Sequence, residues 1–413
     1  MIKQSGSNIQ DVKMKNRMLV LKLISTHHSI SRVKLAKATG LSKMTVGNIV
    51  AELLEKGFIE ETQKATSSTS NYGRKPVMLT IAKTSPCICG MLIRRGVAQV
   101  ILADFDGTVF EQINFSYSSL ADGDALVQLL ADGFFTLKQR TTRKIAAIGI
   151  SSLGPINTTS GMILNPPHFY NIENLPIVSQ IHQRTQLPVY LVNDVNAGAL
   201  AEKLYGAGQE ITNFTYLHIM NGIGAGFILE NKLYNGDSGQ SGEIGHTSIN
   251  FAGPKCVCGN TGCLELYANL ENMQKRIREL AEELTPHYKK SPLVYLENPT
   301  WCDIVDAGNA GDFLAIAVLD EFCSYISYAL TNTLNLLDLS HLVVGYDSRT
   351  KGNIIEQILQ RKITKSVLSG KYHDITVIHA QFGGNAPLIG SIAMIADKIF
   401  SLQLPLSEIF DTN

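Results

Sequence analysis

Apolar residues recur in two rhythms along this chain, and the change of rhythm separates its parts. Val12 to Ser25 reads as a helix, with Met18, Leu19, Leu21 and Leu23 supplying much of its apolar side. Ser31 suits the N-cap of a second, short helix carrying Val33, Leu35 and Ala36. Gly40 permits a tight turn, Leu41 plugs the core behind it, and Ser42 is a second N-cap. Beyond it Val46, Ile49, Val50 and Leu53 keep the i, i+3, i+4, i+7 spacing of one buried helical face. Helix, glycine-containing turn, helix is the layout of a helix-turn-helix. The runs Phe58–Thr62 and Val77–Ile81 read as short strands, and the Ser/Thr-rich stretch Ala65–Asn71 between them as the loop of a wing.

From residue 83 the pattern becomes strands alternating with helices, the mark of an α/β fold with two βαβ-like halves. Cys87–Ile93 and Ala98–Phe105 read as paired strands, followed by a turn at Asp104–Thr108. Ile145–Ser151 is a buried strand leading to Leu153-Gly154-Pro155, and Val189–Val192 leads to Asn193-Asp194-Val195-Asn196. The second half opens with Tyr216–Ile219, continues with the strand Leu342–Gly345 and ends in an apolar helix from Ile389 to Phe400. We therefore divide the chain into residues 1–82 and 83–413.

Charge sharpens that division. Basic and acidic residues balance at 36 each, but residues 1–82 hold thirteen basic against five acidic, a net of +8. The remainder is −8. A basic head on an acidic body confines contact with a polyanion to the head. The exposed side of the third helix offers Ser42, Lys43, Thr45 and Asn48 near its N-terminus, where a recognition helix enters the major groove. Gly73-Arg74-Lys75-Pro76 closes the wing loop, either as a simple turn or as one that lays Arg74 in a narrow minor groove.

Apolar residues make up 45% of the chain and charged residues 17%, the composition of a globular protein. No run of 18 or more uncharged apolar residues is present, and the N-terminus lacks an apolar signal segment. The expectation is a cytoplasmic protein with no membrane span. Seven cysteines in this length do not make a disulfide framework, and three of them crowd between 256 and 263. Cys256, Cys258 and Cys263, preceded by His246, offer three thiolates and one imidazole, a tetrahedral set for zinc. Four protein ligands leave no open position, so the expected zinc is structural.

Three further groups carry candidate chemistry. Asp194, at the end of a buried strand, can accept a proton from a substrate hydroxyl, although Asn-Asp alone is also a turn signal. Glu243, His246 and Glu265 are polar side chains that the zinc loop would hold near one pocket. The glycines at 222, 224 and 226 suit either close approach to a phosphate or a tight hairpin.

Together these motifs resemble the ROK family, named for its repressors, open reading frames and kinases. The resemblance rests on Gly242-Glu243-Ile244-Gly245-His246, followed by Cys-x-Cys-Gly-x-x-Gly-Cys-Leu-Glu at 256–265, and on Ser-Arg-x-x-Leu-Ala-x-x-Thr-Gly-Leu-Ser-x-x-Thr-Val at 31–46. The head is similar to those of its xylose- and N-acetylglucosamine-type repressors. The resemblance implies a winged helix-turn-helix followed by a two-lobed, actin-like (ribonuclease-H-like) ATPase fold of the sugar-kinase type. By position it implies Gly154, Asn193, Asp194, Glu243, His246 and Glu265 as sugar ligands, with His246 using one ring nitrogen for zinc and the other for sugar.

One departure weighs on catalysis. Kinase members open the domain with a strand ending in Asp-x-Gly-Gly-Thr, which cradles ATP phosphates. The corresponding segment here reads Cys87-Ile88-Cys89-Gly90-Met91-Leu92-Ile93, and an expected Gly-Gly is Gly345-Tyr346. Phosphoryl transfer depends on positioning and neutralising the phosphates, so Asp194 becomes a vestigial base. The expectation is a sugar-responsive repressor, not an enzyme, that binds double-stranded operator DNA as a homodimer or dimer of dimers. Its effector would be a sugar or sugar phosphate, or else a phosphotransferase-system protein. The alternative is an ATP-dependent sugar kinase with an added DNA-binding head.

Overall fold

A computed structural model describes residues 9–62, 76–120, 122–167, 169–170, 172–220, 222–282 and 288–404. They form two compact units. One runs up to Asp194 and takes up the chain again from Leu388; the other is Val195–Pro387.

The first unit begins with the head. Helices α1 (Ile9–Thr26), α2 (Arg32–Thr39) and α3 (Lys43–Glu55) pack against a three-stranded antiparallel sheet. Its strands are β1 (Ile30–Ser31), β2 (Ile59–Thr62) and β3 (Met78–Ile81), in the order β1-β3-β2. Both expected caps are present: Ser31 Oγ accepts from the Lys34 N–H, and Ser42 Oγ from the Thr45 N–H at 3.0 Å. Gly40 ends α2 at φ +69°, a left-handed conformation that favours glycine. Val46, Ile49, Val50 and Leu53 are all buried, with Met18, Leu21 and Leu35. Two apolar residues depart from expectation. Leu19 and Val33 face solvent, while Val20 and Ile24 fill the core beside α1.

The rest of the first unit is a five-stranded sheet of β4 (Cys87–Arg94), β5 (Val97–Ala103), β6 (Val109–Ser116), β7 (Ile145–Ser152) and β10 (Val189–Asn193), in the order β10-β7-β4-β5-β6. A small ribbon, β8 (Ile156–Asn157) with β9 (Met162–Ile163), follows β7. Period-two alternation assigns the faces of β4. Cys87, Cys89, Met91 and Ile93 share a core with Leu126, Leu130 and Phe134 of α4 (Gly123–Gln139) and Ile181 of α5 (Ile177–Thr185). Gly90 faces the other way, where an added Cβ would fall 2.3 Å from Ser391 Oγ of α11 (Ala386–Phe400).

The second unit repeats this plan. Strands β11 (Phe214–Ile219), β12 (Ile223–Leu229), β13 (Lys232–Tyr234), β14 (His341–Tyr346) and β15 (Thr376–His379) order as β13-β12-β11-β14-β15. In both sheets the first, fourth and fifth strands in sequence run parallel, and the second and third form antiparallel meanders. That duplication is the two-lobed, ribonuclease-H-like layout. Helices α6 (Asp194–Tyr205, whose first residue closes the first unit), α7 (Leu270–Glu282), α8 (Trp301–Asn309), α9 (Phe313–Leu337) and α10 (Ile354–Ser366) complete it. Helix α9 is long and apolar enough to cross a membrane. It packs as a core helix, burying Leu314, Val318, Phe322, Ile326, Leu330 and Leu334.

Candidate ligand, metal and DNA sites

In the second unit the cysteine loop closes on itself. Cys256 Sγ lies 3.8 Å from His246 Nδ1, and Cys258 Sγ 3.6 Å from Cys263 Sγ. All four donor atoms lie within 4.8 Å of one another. Tetrahedral zinc with bonds of about 2.0–2.3 Å separates its donors by about 3.5–3.8 Å, so the group fits that ion. Gly262 sits at φ +68°, where an added Cβ would fall 1.8 Å from Asn250 O, so only glycine fits. Asn260 Nδ2 donates to His246 O at 3.0 Å, fastening the loop to the histidine.

The turns carrying His246 (Ile244–His246) and Glu265 (Leu264–Leu266) pack at the start of β12. Glu265 Oε1 accepts from the Ile223 N–H at 3.2 Å, and a Cβ on Gly222 would fall 2.5 Å from that oxygen. Gly224 and Gly226 sit under Val195 and Ala199 of α6, where an added Cβ would fall 2.5 and 2.7 Å away. The glycine run is thus a hairpin strand made thin for helix packing and for the Glu265 carboxylate. Glu243 lies immediately before the His246 turn.

In the first unit Gly154 follows β7, and Asn193 ends β10 with Asp194 next. The two strands are parallel neighbours, Asn193 pairing with Ser152. All three residues therefore lie at carboxyl ends of adjacent strands, where ligands bind in open α/β sheets.

The segment 87–93 is strand interior, and its Gly90 is used for packing on α11. The strand ends at Arg94 and the turn that follows is Arg95-Gly96, with no Gly-Gly-Thr, and Arg95 donates to Pro167 O at 2.8 and 3.0 Å. Tyr346 is buried, donates to Glu356 Oε2 at 2.9 Å, and stands edge-on to Trp301 and His379. A bulky side chain thus stands where the resemblance calls for a second glycine.

A buried carboxylate that sequence reading passed over is Glu202 of α6. It accepts the N–H groups of Ala207, Gln381 and Phe382 at 2.8–3.0 Å. Burial pushes its carboxyl above the usual range, and those hydrogen bonds only partly offset the shift. Such a glutamate in a helix interior leaves no sequence signal, because two of its three partners, Gln381 and Phe382, lie far along the chain.

On the head, Ser42, Lys43 and Asn48 are exposed and Thr45 is half-buried. Ser42 Oγ also lies 2.9 Å from Thr45 Oγ1, so both hydroxyls are engaged in the cap. The same face exposes Met44 and Ala51, passed over by a search for hydrogen-bonding side chains. Arg74 and the wing loop lie outside the described residues.

These features agree with known proteins. Residues 93–398 match the ROK family and residues 15–67 the MarR family. The xylose repressor of Caldicellulosiruptor bescii is 30% identical over 398 residues, covering 94% of this chain and 97% of that one. The crystal structure of a ROK family transcriptional regulator, a homologue of the Escherichia coli MLC protein, superposes with a TM-score of 0.76 at 28% identity, covering 97% of this chain and 100% of the other. A ROK family glucokinase from Streptomyces griseus, in complex with glucose and AMPPNP, shares the fold of the body at a TM-score of 0.63 and 24% identity, covering 75% of this chain and 98% of the other. With a winged-helix head and a duplicated body that carries the Cys-x-Cys-Gly-x-x-Gly-Cys loop, this chain belongs to the ROK family.

Proposed function

We propose that the chain is a sugar-responsive, DNA-binding transcriptional repressor of carbohydrate uptake or catabolism genes, and not a sugar kinase. The observation that carries this reading is β4 itself: the segment 87–93, where the resemblance calls for a strand ending in a Gly-Gly-Thr phosphate cradle, is a buried strand that continues through Arg94 into an Arg95-Gly96 turn, on a body that has Asn193, Asp194, Glu243, His246 and Glu265. Similarity over nearly the whole length to a protein named a xylose repressor supports it. Residues 1–82 act as the DNA-binding domain and 83–413 as the sensor.

Sugar hydroxyls are bound by the Gly154 backbone, Asn193, Asp194, Glu243, His246 and Glu265. A pentose such as xylose, or a sugar phosphate, is the effector class. His246 with Cys256, Cys258 and Cys263 holds zinc, which braces the loop and takes no part in chemistry. With Nδ1 turned to the cysteines, the other ring nitrogen of His246 is left for a sugar hydroxyl. Two chains pair so that two heads read a palindromic site through Ser42, Lys43, Thr45, Asn48 and Arg74. A coupled assay with ATP and a panel of hexoses and pentoses tests the reading; robust turnover would overturn it.

A further inference from the structure

Helix α3 carries two residues on its outward side that its own fold does not explain. Val46, Ile49, Val50 and Leu53 are buried, so Met44, Gly47, Asn48 and Ala51, at i, i+3, i+4 and i+7, point outward. Met44 is 76% exposed, a large apolar side chain in water at the N-terminal turn of the helix. Gly47 is the opposite case. Its backbone does not take a positive φ, and an added Cβ would meet nothing within 4 Å. Glycine weakens a helix interior relative to alanine, so the fold of this chain would be better served by alanine there. Close approach of a body outside the chain accounts for both.

The charge around them selects that body. Lys34, Lys37 and Lys43 are exposed close by on α2 and α3, and the head as a whole is strongly basic. A polyanion is the complementary partner, and a helix that presents an apolar side chain at its tip fits the major groove of duplex DNA. There the apolar feature is the C5-methyl of thymine. The Ser42 and Thr45 hydroxyls are tied to each other by the cap, and Met44 is the exposed apolar side chain at this turn.

We infer that Met44 reads a thymine methyl in the major groove, and that position 47 is glycine so that α3 can seat deeply enough for it to do so. The inference rests on the DNA-binding reading of the head. It adds an apolar contact and a steric one to the polar set, and it assigns part of the sequence specificity to residues that carry no hydrogen-bonding group.

The test uses the full-length protein and a library of random-sequence duplexes. Sequences retained by the unaltered protein are identified, and each thymine in a retained duplex is replaced in turn by uracil, which removes only the methyl group. Affinity should fall by roughly fourfold at one position per half-site, the value of one buried methyl. Met44→Ala should bind the thymine and uracil duplexes equally. Gly47→Ala should melt no lower than the unaltered protein, yet lose about tenfold or more on the retained duplex, as expected for an overfilled contact. Equal affinity of Gly47→Ala, or a fall in its melting temperature that accounts for the loss, would overturn the steric role. A uracil effect that persists in Met44→Ala, or none at any position, would overturn the methyl contact. Failure of the unaltered protein to retain any sequence would instead remove the DNA-binding reading itself, and this inference with it.

Discussion

The Ser25 hydroxyl, in the last turn of α1, donates to the main-chain oxygen of Phe105 at 2.5 Å, and the bond is buried. Phe105 belongs to the turn between β5 and β6, so this bond ties the head to the first lobe. Its ring is fully buried, 6.4 Å from that of Phe58 on the head. Arg143 braces the same turn, donating to Ser85 O at 2.8 Å and pairing with Asp104. Phe105→Ala should therefore cost about 3–5 kcal/mol, the range for emptying a buried aromatic site. Ser25→Ala should cost about 0.5–1.5 kcal/mol through loss of this buried hydrogen bond. Chemical denaturation of the full chain measures both, and a loss under about 1 kcal/mol for Phe105→Ala would show that the turn does not anchor the head.

Beside that contact His28 Nδ1 lies 3.5 Å from Asp106 Oδ2. The hydrogen bond that His28 donates to Asp106 raises its pKa against an opposing effect of burial. Burial pulls the Asp106 carboxyl upward, but hydrogen bonds from His28 and Thr108 outweigh it and hold it below the usual range. The pair thus stabilises the fold fully between about pH 4 and 6.5, the ordinary values of the two groups. The contribution fades as pH rises above that window through the raised His28 value, and as pH falls below it through the lowered Asp106 value. The melting-temperature difference between the unaltered protein and His28→Gln should shrink from pH 6 to pH 8. A difference that stays constant or grows over that range would rule the pairing out as a source of pH dependence.

The Cys-His loop makes a chemical prediction. Freshly purified protein should contain one zinc per chain, and Cys258→Ser or a chelator should lower the melting temperature. Because the loop fixes the Glu265 and His246 turns in the second unit, response to sugar should disappear before DNA binding does. Protein free of zinc, with the same melting curve, would contradict the assignment.

Lys43 and Asn48 should separate by kind on DNA. If Lys43 contacts a phosphate, as proposed, Lys43→Ala should weaken binding on all sequences and flatten the salt slope by about one unit. Asn48→Ala should cost about 1–3 kcal/mol on a retained sequence and little on random duplex, if it pairs with a base edge. Salt titrations of both variants on both duplexes check this. Equal losses for Asn48→Ala would move base reading elsewhere on the head.

What could be read in advance was whatever is encoded locally. The Ser42 cap, the buried face of α3 and the cysteine loop each depend on residues close together in the sequence, at most 17 positions apart for His246 and Cys263, and each is present as expected. The apolar side of α1 was off by one position at Leu19, because neighbouring leucines fit more than one helical face. Strand β1 escaped notice because two residues make no pattern. Strand β6 has an alternating pattern, but it is a half-exposed edge with polar residues between Phe110, Ile113 and Phe115. The meaning of Gly90, Gly149 and Gly224 was out of reach, since each is set by a helix packed against it from elsewhere in the chain. Phosphate loops and packing hairpins use the same residue, and only the neighbour tells them apart.

The central claim, that a sugar bound by the body controls DNA binding by the head, is tested most directly by one titration. Affinity of the full chain for its retained duplex is measured at fixed salt, with and without a panel of pentoses, hexoses and their phosphates. At least one compound should shift that affinity by about 5–150-fold, the usual range of coupling between sites, and Asp194→Asn should abolish or weaken the shift. If no compound alters DNA affinity, while one of them is phosphorylated in the presence of ATP, the chain is a kinase and the account is wrong.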